Sequence, residues 1–63
     1  MNGYKGKPIS HILVGGLYDL RVITPVENGA YVEREEITIG HCVYYYSYTA
    51  DNGFRVMRGY CPR

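Results

Sequence analysis

The sequence predicts an all-β protein: a small antiparallel meander of about five strands, coiled into a partly open barrel of the SH3-like or OB-like sort. Three observations carry that reading. Turn signals recur at Gly15-Gly16, Asn28-Gly29 and Asn52-Gly53, each between runs of strand length. The runs are rich in β-branched and aromatic residues, with eight tyrosines and no tryptophan. No segment combines a cap with an apolar repeat long enough for a stable helix.

The elements follow in order. Residues 1–7 carry glycine and lysine and are expected to fray. Pro8 opens the first strand, where its missing N–H does least harm. Ile9 to Val14 then runs into Gly15-Gly16. A two-residue turn there sets Leu13 opposite Tyr18, His11 opposite Leu20 and Ile9 opposite Val22. Leu17 to Thr24 forms the second strand. Closing at Asn28-Gly29 would pair Arg21 with Glu36, Leu20 with Ile37 and Tyr18 with Ile39. A third run, Ala30 to Ile39, passes through a bend at Gly40.

The last hairpin joins Cys42–Thr49 to Phe54–Cys61. A two-residue loop at Asn52-Gly53 sets Tyr45 opposite Tyr60. A four-residue loop, Ala50 to Gly53, sets Cys42 opposite Cys61. Both registers leave each side chain on the same face. Val43, Tyr45, Ser47, Phe54, Val56, Arg58 and Tyr60 share one face; Cys42, Tyr44, Tyr46, Tyr48, Arg55, Met57, Gly59 and Cys61 share the other. The β-branched residues and the only phenylalanine mark the first face as core. Carried through the turns, the inner face becomes Ile9, His11, Leu13, Tyr18, Leu20, Val22, Ile37, Ile39, Val43, Tyr45, Phe54 and Val56.

The whole chain, residues 1–63, is short enough for one small domain. A domain of this size buries only about 60% of its unfolded surface and usually needs a staple. Cys42 and Cys61, facing each other on one hairpin, supply a disulfide if they are oxidised. The net charge of +1 does not announce nucleic acid, although Lys5 and Lys7 make the start basic, Glu33, Glu35 and Glu36 the middle acidic, and Arg55, Arg58 and Arg63 the end basic. There is no signal-peptide core and no apolar run approaching about 18 residues, so no membrane partner and a cytoplasmic location are expected.

Catalytic chemistry is not legible. Two histidines and two cysteines match a zinc set by count, but not by spacing, and the neighbours His41 and Cys42 point to opposite faces of a strand. The same geometry separates Ser10 from His11. No phosphate loop or paired carboxylate appears. The expectation is a protein that is not an enzyme and has no cofactor and no metal.

What remains is the tyrosine row. Buried, it is a sheet layer held by aromatic cross-strand pairs. Exposed, Tyr44, Tyr46, Tyr48, Arg55 and Met57 form the partner-binding surface, since Tyr, Arg and Met are enriched at interfaces. If the parity is inverted, that surface lies on Tyr45, Arg58 and Tyr60 instead. Tyr46 to Phe54, Tyr-Ser-Tyr-Thr-Ala-Asp-Asn-Gly-Phe, resembles a stretch of the arthropod cuticle proteins that bind chitin with aromatic β-sheets. The rest of the chain does not, and no function is carried across. The expected function is a protein-binding inhibitor or adaptor of the phage or mobile-element type. The alternative is a small barrel that stacks single-stranded nucleic acid on its tyrosines. A homodimer is open on either reading.

Overall fold

The computed structural model describes residues 3–62. Met1, Asn2 and Arg63 fall outside the described residues, and with them the expected fraying of the first two and the terminal arginine. Seven strands form: β1 (His11–Val14), β2 (Val22–Ile23), β3 (Val26–Glu27), β4 (Ala30–Tyr31), β5 (Glu36–Ile39), β6 (Cys42–Thr49) and β7 (Arg55–Tyr60). Five make one sheet in the order β2-β1-β7-β6-β5, curled into a half-barrel. β3 and β4 make a separate two-stranded ribbon. There is no helix among the described residues. The fold class is all-β, as the turn signals and strand-length runs require.

β5, β6 and β7 form an antiparallel meander. β1 departs from simple meander order. It pairs antiparallel with β2 but parallel with β7, His11 beside Arg55 and Leu13 beside Met57. The first strand therefore lies against the last, and the two ends of the chain close the middle of the sheet.

The Gly15-Gly16 turn is longer than expected. Both glycines have positive φ, and Leu20 follows at 69°. Leu20 N–H donates to Leu13 O at 2.6 Å, Leu13 N–H to Arg21 O at 2.8 Å, and Gly15 N–H to the Asp19 carboxylate at 2.6 Å. These bonds fold residues 15–21 into a loop whose polar groups are in part its own partners. His11 consequently pairs with Ile23, and neither His11–Leu20 nor Ile9–Val22 forms. The slip is odd, so it reverses the side-chain face. Ile23 packs inward, while Leu20 and Val22 are exposed.

Asn28 and Gly29 take φ of 54° and 77°, the two positive values a type I′ turn uses. The ribbon they close holds only Val26–Tyr31 and Glu27–Ala30. The expected pairs Arg21–Glu36, Leu20–Ile37 and Tyr18–Ile39 do not form, because Pro25 has no N–H to extend the ladder and β5 leaves to pair with β6. The N-terminal segment is not loose at this point. Lys5 N–H donates to Gly29 O at 2.9 Å, and Tyr31 N–H donates back to Lys5 O at 3.0 Å.

The last hairpin takes neither expected loop at its tip: Thr49 pairs with Arg55, and the register of the four-residue loop returns only beyond the bulge, from Tyr46–Met57 to Val43–Tyr60. Gly53 N–H donates to Ala50 O, and the Asn52 side chain accepts Phe54 N–H. Cys42 and Cys61 are joined by a disulfide, their Cα atoms 3.9 Å apart. A bulge at Ser47 breaks the register: Tyr46 opposes Met57, but Tyr48 opposes Val56. One extra residue turns Tyr48 to the face opposite Tyr44 and Tyr46.

The hairpin parity is the reverse of the expected one at Tyr44, Tyr45 and Met57, although Val56 is buried as expected. Leu13, Cys42, Tyr44 and Met57 are buried at the centre of the core, with Ile23, Ile37, Ile39, Tyr18 and Tyr46 packed around them. Tyr45 is exposed instead. The reason is room and satisfaction. Gly59 lies opposite Tyr44 across the strands, and a Cβ there would stand 2.7 Å from Tyr44 Cα and collide with Val43 O. Only glycine lets the tyrosine ring lie over the neighbouring strand. The buried Tyr44 hydroxyl then donates to Gly15 O at 2.7 Å and accepts Tyr18 N–H at 3.2 Å. A buried phenol with both roles filled carries little desolvation cost.

Candidate binding surface

The residues expected to form one row are separated by the fold. Tyr44 and Met57 are fully buried and cannot reach a partner. Arg55 is buried as well. Tyr46 is half-buried beneath it, with the guanidinium 3.9 Å from the ring centroid. Only Tyr48 is exposed. The expected solvent-facing row is therefore corrected to one member.

The outer face of the sheet holds three exposed aromatic residues. Tyr45, Tyr48 and Tyr60 are 52%, 53% and 60% exposed, more than half of each residue's surface facing solvent. Arg58 lies directly opposite Tyr45, and Val43 directly opposite Tyr60. Tyr45 and Tyr60 are thus diagonal neighbours, about 7–8 Å apart in backbone terms and within reach of each other's rings. Their strands sit in the interior of a five-stranded sheet and are joined by the disulfide, so the platform is rigid. The sequence signal for this face was Gly59. Gly59 leaves room on the inner side for the Tyr44 ring opposite it, which sends the flanking Arg58 and Tyr60, and with them Tyr45, to the outer face.

A polar cluster occupies the inner end of the half-barrel. The guanidinium of Arg55 donates to Glu33, to Glu35 at 2.9 Å and to Arg34 O at 3.1 Å. Its Nε has no hydrogen-bond partner among the described residues. His11 is fully buried beside it. Arg34 N–H donates to His11 Nε2 at 3.0 Å, which fixes that nitrogen as acceptor. Nδ1 then carries the proton and donates to Ile9 O at 2.9 Å. Burial holds the His11 pKa below its usual 6.5, and the Arg55 charge works in the same direction, against the Ile9 carbonyl and Glu33.

That depression has a sign in stability. Above the unfolded value both states are neutral at His11, and the full stability is present. Below it the unfolded chain takes a proton that the folded ring refuses, so stability falls until the folded ring itself titrates. Urea unfolding at about pH 7.5 should show a higher midpoint than at about pH 5.5, and His11→Gln should flatten the difference. An equal midpoint for the parent protein at the two pH values would contradict this.

A cleft of about 370 Å³ opens where the half-barrel fails to close. Ile23, Pro25, Arg34 and the β5 residues Glu36 to Ile39 line it. His11, His41, Cys42 and Cys61 do not converge, and among the described residues no group of three or more metal-ligating side chains exists. No helix among the described residues is long and apolar enough to cross a membrane. Comparison with known protein families, curated proteins and solved structures finds no match for this chain.

Proposed function

We propose that this protein is a non-enzymatic binding module whose partner is another protein, engaged through Tyr45, Tyr48, Tyr60 and Arg58. The observation that carries the reading is the exposure of three tyrosines on the face of the sheet opposite the packed core. A tyrosine held on a paired strand loses little further freedom when it binds, so it serves as an anchor. Arginine beside it adds a second residue type favoured at interface hot spots. The inhibitor or adaptor role of the phage or mobile-element type belongs to the same proposal and rests on the small size of a chain with no legible chemistry. The disulfide speaks for an oxidising compartment over the cytoplasm. Alkylating free thiols at lysis, before and after reduction, separates the two.

Single-stranded nucleic acid is the competing ligand, because the same rings would stack on bases. A pull-down with and without nuclease, followed by titration of the captured partner, tests the choice. Tyr45→Ala with Tyr60→Ala should weaken a protein partner by about 2 kcal/mol or more and leave the melting temperature nearly unchanged. A nucleic-acid partner would instead lose affinity steeply with salt, and Arg58→Ala would reduce that slope by roughly one. Unchanged affinity in the double tyrosine variant would remove this face from consideration.

A further inference from the structure

We propose that the free edge of β5, with the cleft beside it, accepts an extended segment of a partner protein as a sixth strand, one that carries alternating apolar and basic side chains. Tyr46 N–H donates to Glu35 O, so Glu35 and Tyr46 form a hydrogen-bonded pair. Antiparallel pairs alternate, which turns the N–H and C=O of Glu36 and Thr38 away from β6. No backbone group among the described residues pairs with that edge. It is a row of donors and acceptors open to strand addition.

The opposite lip of the cleft is β2, which has only two residues and is followed by Pro25. It cannot close the barrel on β5, and it offers a short, proline-guarded edge. An added strand on β5 would alternate its side chains between two environments. Those facing inward would meet Ile23, Ile37 and Ile39, which calls for apolar residues. Those facing outward would stand beside Glu36, itself directly opposite Tyr45 on β6.

Charge selects the outward residues. Around the cleft and the loop before β5, four carboxylates, Glu27, Glu33, Glu35 and Glu36, meet two guanidinium groups, Arg34 and Arg55. Glu36 has no ion-pair partner among the described residues. Arg34 at the cleft is held by Glu27, so Glu36 sets the charge beside the added strand and favours a basic segment. It also opposes a second copy, whose own Glu36 would arrive with the same sign. The site rests on the protein-partner reading above and adds main-chain pairing to the tyrosine contacts one strand away.

Random peptides displayed on phage and selected on the immobilised full chain test the site. Selected peptides should alternate apolar and basic residues, and bound peptide should shift and protect the Glu36 and Thr38 amides in two-dimensional NMR. Thr38→Pro deletes an outward N–H without touching the β5–β6 ladder and should weaken binding about tenfold or more. Glu36→Lys keeps the backbone intact, guards against a folding defect in the proline variant, and should shift selection toward acidic peptides. Peptides that tolerate Thr38→Pro but need Tyr45 and Tyr60 would overturn strand addition and leave the tyrosine face standing. Failure to select any alternating peptide would overturn it, as would dimerisation in sedimentation that Thr38→Pro abolishes.

Discussion

Replacing Glu33 and Glu35 together by glutamine is expected to lower stability by about 3–5 kcal/mol, enough to unfold a domain of this size. The Arg55 side chain is only 8% exposed, whereas the two carboxylates are 53% and 76% exposed. Water solvates the glutamates in either state, but only the protein solvates the arginine. Removing both anions leaves a buried cation with the Arg34 carbonyl and the Tyr46 ring as its main company. A single substitution should cost less, because the remaining carboxylate still neutralises the guanidinium. Adding Arg55→Met to the double variant should recover most of the loss, since it removes the charge and keeps a stem over Tyr46. Urea unfolding of the parent, the double glutamine variant, Arg55→Met alone and the triple variant measures the cycle. A double variant within about 1 kcal/mol of the parent would show that the pair is no more than a surface salt bridge.

Replacing Cys42 and Cys61 together by alanine should cost about 3 kcal/mol, since the bond closes a loop spanning 19 positions. For a domain of this size that corresponds to a melting temperature lower by roughly 12–24 °C. The bond also holds the base of the β6–β7 hairpin under the Gly15–Arg21 loop, where Leu17 N–H meets Cys61 Sγ at 3.0 Å. Thermal melts followed by circular dichroism, with and without reductant, check this. The reduced parent and the alanine variant should melt together, and a parent insensitive to reductant would contradict the role.

The sequence by itself determined the class, the turns at Asn28-Gly29 and after Ala50, and the neighbourhood of Cys42 and Cys61. These rest on local chemistry: positive φ at glycine and asparagine, and the reach of one hairpin. It also placed His11, Leu13, Ile37 and Ile39 on the inner face. It did not determine parity in the last hairpin, because both faces carried aromatic residues and either could have been buried. Tertiary packing decided it. Gly59 made room for the Tyr44 ring, Gly15 and Tyr18 took its hydroxyl, and Glu33 and Glu35 arrived from a distant loop to neutralise Arg55. Such partners lie far apart in the chain, so no local period reveals them. The same holds for the parallel contact of β1 with β7, which joins the two ends of the chain, and for the bulge at Ser47, which turned Tyr48 out of its row. Burial follows whichever face finds partners for its polar atoms, and only the assembled sheet supplies them.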